Sequence, residues 1–230
     1  MSSYTDSEQV FASVCRRHNY EVTELPTRPQ QKTADFSVVT PDCRFIAEVE
    51  ELTPNADDHR QIRELKEQHW THGGGKVGAR ARKAIRDASR QLREHTPESV
   101  PLIIVLYNNI RTSDGRMGYP MDHLELFHID AAMYGNLVVH VSLGNRTSRT
   151  PDRSGGGRTT TTQEKTYISA VAVMSDWDDE TILVYHNSFA THPLPRSVFS
   201  DSKSFHLRKP TQVFDTPMKW EAWPIAQASS

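Results

Sequence analysis

Apolar and polar positions are most clearly organised between residues 34 and 52. Ala34 to Val39 reads as a strand, Thr40-Pro41-Asp42-Cys43 as a turn, and Arg44 to Leu52 as the returning strand of a hairpin. Upstream, Ser7 predicts the cap of a helix over about Glu8 to His18, with Val10, Phe11, Val14 and Cys15 on its apolar face. Tyr20 to Leu25 is a short candidate strand, and Pro26 to Gln31 a loop. After the hairpin, a polar helix is expected over about Asp57 to Gln68, broken by Gly73-Gly74-Gly75. A second helix is expected from about Gly78 to His95, with Val77, Ala81, Ile85, Ala88 and Leu92 at helical spacing.

Leu102 to Tyr107 is a continuous apolar run, the pattern of a central strand covered on both faces. Leu137 to Leu143, Tyr167 to Met174 and Thr181 to His186 complete the expected strands, the last two flanking a turn at Asp176 to Asp179. Residues 144–166 are rich in Gly, Ser, Thr and Arg, and predict a long mobile basic loop. The proline-containing tail from Asn187 predicts irregular chain packed over the core, with Trp220 and Trp223 as anchors. The expectation is one α/β domain, a mixed central sheet flanked by helices.

Composition narrows the class. The chain has 230 residues, 36% hydrophobic and 24% charged, enough for a full core and unlike a disordered polymer. A formal net charge of −2 excludes a uniformly basic nucleic-acid binder but leaves room for a local basic patch. The two cysteines, Cys15 and Cys43, form no CxxC pair, and Cys15 reads as a buried reduced thiol. No apolar run approaches the roughly 20 residues that span a bilayer, and residues 1–6 lack the apolar segment of a secretory signal. A cytoplasmic protein without a membrane partner is expected.

Candidate chemistry lies on the hairpin. Side chains alternate along a strand, so Phe45, Ala47 and Val49 share one face, and Ile46, Glu48, Glu50 and Leu52 the other. A short turn can bring Asp35 beside Glu48. Three carboxylates converging on one face repel unless a cation neutralises them. Hard oxygen ligands suit Mg²⁺ or Mn²⁺, which acidify a bound water and polarise a phosphoryl oxygen.

The segments Thr33-Ala34-Asp35-Phe36-Ser37-Val38 and Phe45-Ile46-Ala47-Glu48-Val49-Glu50 resemble the metal-binding hairpin of the PD-(D/E)XK nuclease superfamily. The resemblance implies a restriction-endonuclease-like fold and a metal-dependent nuclease, with Asp35 and Glu48 as ligands. It implies Glu8 on the first helix as a further ligand, and Gln91 on the basic helix as an assisting residue. The order of helix, hairpin, basic helix and buried strand is that of the superfamily core. Two positions depart from the pattern. Ala34 stands where the family has proline, and Glu50 where it has lysine. Glu50 is compatible with an extra ligand in a two-metal site, and equally with a catalytically silent domain that binds nucleic acid or a partner protein. Lys76 and Lys32 are candidates to supply the missing cation. Lys83 points away from the apolar stripe on a helical wheel, which argues against it.

Between Arg60 and His95 there are ten Lys or Arg and four Asp or Glu, a balance of 10 − 4 = +6. On the second helix, Arg82, Arg86, Arg90 and Arg93 share one sector expected to be exposed. Arg80 and Gln91 lie at the edge of the apolar stripe, where they could reach a phosphate or order water. With Lys76, these arginines are the expected nucleic-acid contacts, DNA ahead of RNA. A homodimer is a further expectation, since many such nucleases cut two strands as dimers. The chain has no GxSxG elbow, and Gly73-Gly74-Gly75-Lys76 lacks the spacing of a nucleotide-binding phosphate loop. His69 and His72 lack the further ligands a zinc site needs.

Overall fold

The computed structural model describes residues 4–26, 33–68, 76–110, 126–141, 149–154, 159–160, 164–175, 181–210 and 219–223. The glycine run, His69, His72, Lys32 and the turn at 176–179 lie outside them.

The first helix, α1 (Asp6–Arg17), begins before its expected start. Thr5, not Ser7, is the cap. Its hydroxyl accepts from the Glu8 N–H at 3.3 Å, and its own N–H donates to Glu8 Oε2 at 2.7 Å. This reciprocal capping box satisfies two helix-end donors, and leaves Ser7 buried.

Eight strands form one mixed sheet: β1 (Glu21–Glu24), β2 (Phe36–Val39), β3 (Arg44–Leu52), β4 (Leu102–Asn108), β7 (Ile168–Ser175), β8 (Ile182–His186), β9 (Ser204–Arg208) and β10 (Glu221–Ala222), adjacent in that order. The strands β1, β2 and β3 are antiparallel neighbours, whereas β3, β4 and β7 run parallel. The crossover from β3 to β4 carries α2 (Ala56–Gln68), α3 (Ala79–Leu92) and a 3₁₀ turn at Arg93–Glu98. All seven residues of β4 are buried, as its unbroken apolar run predicts.

Each sheet face has its own core. Phe11, Val14 and Cys15 of α1 pack with Phe36, Val38, Phe45, Ala47, Ile103 and Val105. On the opposite face, Ala81, Ile85, Ala88 and Leu92 of α3 pack with Ile46, Leu52, Ile104, Leu106 and Val171. A fourth helix, α4 (Leu126–Tyr134), was not legible in the sequence. Its residues 129–134 are all buried, so it has no polar face and no amphipathic period. Gly78, at the start of α3, has φ +68°, and a Cβ there would lie 2.5 Å from the His128 carbonyl of α4. Only glycine suits both constraints.

Two expectations are corrected. The segment 144–166 contains a strand, β6 (Arg149–Ser154), paired antiparallel with β5 (Asn136–Val141) in a separate two-stranded sheet. Thr159 and Thr160 are buried, and their hydroxyls donate to Ala132 O at 2.7 Å and Met133 O at 2.9 Å, closing the end of α4. The tail also forms strands, β9 and β10. Its tryptophans serve as anchors: Trp220 meets Tyr185 edge-on at 5.0 Å, and Trp223 meets His186 at 4.6 Å. No helix among the described residues is long and apolar enough to cross a membrane.

Lys209 and Asp130 are an ion pair with side-chain exposures of 0% and 1%, tying the end of β9 to α4. Breaking one side leaves a buried charge uncompensated. Lys209→Met is therefore expected to destabilise the protein by about 3–5 kcal/mol in urea unfolding, with Lys209→Met/Asp130→Leu recovering most of the loss.

Candidate active site

The alternation of β3 places its carboxylates. Phe45, Ala47 and Val49 belong to the α1-side core, so Ile46, Glu48, Glu50 and Leu52 face α3. Glu48 is only 3% exposed, and Gln91 Nε2 of α3 donates to its Oε1. Phe36 pairs with Ala47 and Ser37 with Ile46, so Asp35, one residue before β2, comes across from Glu48. Its Oδ2 accepts the Val49 N–H at 2.8 Å, and its carbonyl accepts the Leu25 N–H at 2.8 Å. Asp35 is thus fixed between β1 and β3 by both side chain and backbone.

Burial pushes the Asp35 carboxyl up to about 6. The Val49 N–H opposes this, while the negative charges of Glu8, Glu50 and Glu24 add to it. Of the expected group, Glu8 and Glu50 thus act on Asp35 through their charge, while Glu48 is set opposite Asp35 by the β2–β3 register. Glu8 does so while one of its oxygens closes the α1 capping box. A cavity of about 180 Å³ beside Asp35 is lined by Glu8, Glu24, Thr33 and Tyr4. Glu24 was not anticipated. The β1–β2 register that places it opposite Phe36 depends on a connection whose length gives no register information.

A second cavity, about 210 Å³, opens between β3 and α3, lined by Glu50, Glu51, Thr53, Arg80, Lys83 and Asp87. Lys83, a poor candidate on the helical wheel, is indeed largely exposed. Although it points away from the apolar stripe, Lys83 lines the cavity that holds Glu50, and bonds Asp87 at 2.9 Å. Lys76 is exposed and lines neither cavity.

Two arginines have roles other than those expected. Arg80 donates to the buried Asp58 of α2 and, at 2.5 Å, to Thr53 O. It lines the second cavity as a latch between helices and not as a free phosphate ligand. Arg82 is not in an exposed sector. It is half-buried and donates to Ala131 O of α4 at 3.0 Å, and burial followed by the neighbouring Arg86 charge lowers its pKa. Arg86 and Arg90 are exposed as expected.

Among the described residues, no group of three or more His, Cys, Asp or Glu is arranged to hold a metal ion as it stands. The donor chemistry nevertheless suits Mg²⁺ or Mn²⁺. Magnesium keeps several waters and is held by one or two carboxylates together with substrate phosphates, and Asp35 with Glu48 is such a pair. No family model matches the chain, and the comparisons with curated proteins and with solved structures gave no match.

Because the folded-state pKa of Asp35 lies above 3.8, the native state holds this proton more tightly than the unfolded chain. Its contribution to stability falls as pH rises from about 4 to about 6, and the penalty is complete above that. Asp35→Asn keeps an acceptor for the Val49 N–H and removes the charge. Urea unfolding is expected to show it more stable than wild type at pH 7 by about 1–2 kcal/mol after allowing for partial solvent screening, with the difference vanishing near pH 4. Equal stability at pH 7 would show that the carboxylate cluster carries no such penalty.

Proposed function

We propose that the protein is a metal-dependent nuclease that hydrolyses phosphodiester bonds, DNA ahead of RNA, at the β2–β3 hairpin. The observation that carries this reading is the pair of Asp35 and Glu48, set opposite each other by the β2–β3 register. Glu48 is buried and held by Gln91, and Asp35 has its carboxyl pushed up by burial and by Glu8, Glu50 and Glu24. Such an arrangement opposes folding unless a cation or substrate uses it. The order of α1, the antiparallel β1–β2–β3, α3 and the parallel β4 is also the order that the PD-(D/E)XK resemblance implies.

Asp35 and Glu48 would hold Mg²⁺ or Mn²⁺, with Glu50 and Glu8 close enough to share the charge. A bound cation would supply an acidified water and a polarised phosphoryl oxygen. The protein's own groups do the positioning. Gln91 holds Glu48 in one rotamer, and the Val49 N–H fixes Asp35. Lys83 lines the Glu50 cavity on a long flexible stem, and can exchange Asp87 for the charge that builds on a phosphoryl group.

A second reading, a catalytically silent domain that binds nucleic acid or a partner protein, is favoured by Glu50 occupying the strand position where the resemblance implies lysine. Cleavage of DNA and RNA with Mg²⁺, Mn²⁺ or EDTA separates the two. The nuclease reading expects metal-dependent cutting that Asp35→Ala and Glu48→Ala abolish, and that Gln91→Ala lowers by about 10–100-fold. Lys83→Ala is expected to lower kcat more than it raises KM. Normal cutting by both carboxylate variants would move the site elsewhere. Absence of cutting by wild type, with no calorimetric metal binding, would support the silent domain.

A further inference from the structure

The helix α3 carries five Lys or Arg and a single carboxylate, Asp87. Arg80 and Arg82 are turned onto protein partners. Arg86 and Arg90 are exposed and one turn apart, Arg90 keeping a long 3.4 Å contact to Asp87 of its own helix, and exposed Arg93 continues the same face into the 3₁₀ turn. The segment leading into β7 lies against this face, because the Tyr167 hydroxyl donates to Ser89 O at 3.0 Å. That contact brings in Lys165, a residue remote in sequence whose backbone has φ 51°. Burial lowers the Lys165 pKa; Glu164 opposes the shift, while the charges of Arg86 and Arg90 add to it. Cations from two separate segments therefore converge on one ridge.

We propose that Arg86, Arg90, Arg93 and Lys165 form a docking ridge for the phosphate backbone of the nucleic acid that is cut at the hairpin, an inference that rests on the reading above. The dimensions fit. Seven helical residues rise about 10 Å, and one strand of a duplex advances about 3.4 Å per nucleotide, so the ridge spans about three phosphates. The surface chemistry favours nucleic acid over protein. The exposed large apolar residues among those described are Val39, Phe127 and Phe205, and none belongs to the ridge. A protein interface needs a buried apolar or aromatic anchor, whereas a phosphate backbone does not. Asp87 offsets only part of the ridge's charge, because it is shared between Lys83 at 2.9 Å and Arg90 at 3.4 Å while Arg86, Arg93 and Lys165 add three further cations.

The test is binding of a labelled DNA duplex in EDTA, read by fluorescence anisotropy over a series of KCl concentrations, so that hydrolysis plays no part. The variant Arg86→Gln/Arg90→Gln/Lys165→Gln is expected to bind more weakly, with the slope of log K against log salt reduced by roughly 0.9 per contact removed. Arg16→Gln/Arg63→Gln/Lys66→Gln, which alters exposed cations elsewhere, is expected to leave the slope unchanged. Circular dichroism confirms that both variants fold. Equal slopes for wild type and the ridge variant would overturn the proposal, as would an equal loss in the control variant. Wild type that binds phosphatidylserine vesicles but not the duplex would overturn it as well. Because cleavage is scored separately, loss of cutting with intact ridge-dependent binding would refute the nuclease reading and leave the ridge standing.

Discussion

The period-two alternation of side chains along β3 controls both cores and the candidate site. Phe45 and Ala47 complete the packing beneath α1, and Ile46 and Leu52 that beneath α3. Glu48 and Glu50 have no independent choice of face, because their neighbours have already chosen. A one-residue slip would drive Glu48 and Glu50 toward Phe11 and Phe36, and turn Phe45 toward α3. The antiparallel register with β2 on one side and the parallel register with β4 on the other both oppose that slip. The carboxylates are therefore held in place by hydrophobic burial that is not their own.

This placement sets local chemistry against stability. A carboxylate at 3% exposure loses most of its hydration, and the hydrogen bond from Gln91 restores part of it. Asp35 meets the same problem with one backbone N–H and three nearby negative charges, which explains its raised pKa. Apolar residues at these positions would give a more stable sheet. Conflict of this kind is common where function requires destabilised groups, and it is concentrated here at the start of β2 and the second half of β3.

Around its circumference α3 is divided by task. Its centre is apolar and closes the core with Ile85 and Leu92. One edge carries Arg80, Asp87 and Gln91 toward β3, where the first joins α2, the second pairs with Lys83 and the third holds Glu48. The opposite edge joins its neighbours through Arg82 to α4 and Ser89 to the segment before β7. Outward lie Arg86 and Arg90. Packing on three elements fixes the rotation of the helix, and so decides which of its many cations face solvent.

Local pattern was enough for the elements with a clear period. The hairpin, the apolar stripe of α3, the buried run of β4 and the shared face of Glu48 and Glu50 follow from spacing alone, because periods of 2 and 3.6 are properties of the backbone. Gln91 was placed at the edge of the apolar stripe by spacing, but its bond to Glu48 emerges only from the packing of α3 over the hairpin. Features without a local signal had to wait for the tertiary structure. The helix α4 is buried throughout residues 129–134 and shows no period, β6, β9 and β10 are specified by their pairing partners, and Glu24 depends on a register across a loop. Whether a cation is a latch, a cavity wall or part of an open ridge was likewise undecidable from sequence. Arg80, Lys83, Arg82 and Arg86 sit within two turns of one helix, and their fates are set by Asp58, Asp87, Ala131 and solvent. A side chain's charge is written in the sequence, but its partner is chosen by whatever long-range packing brings within hydrogen-bonding distance.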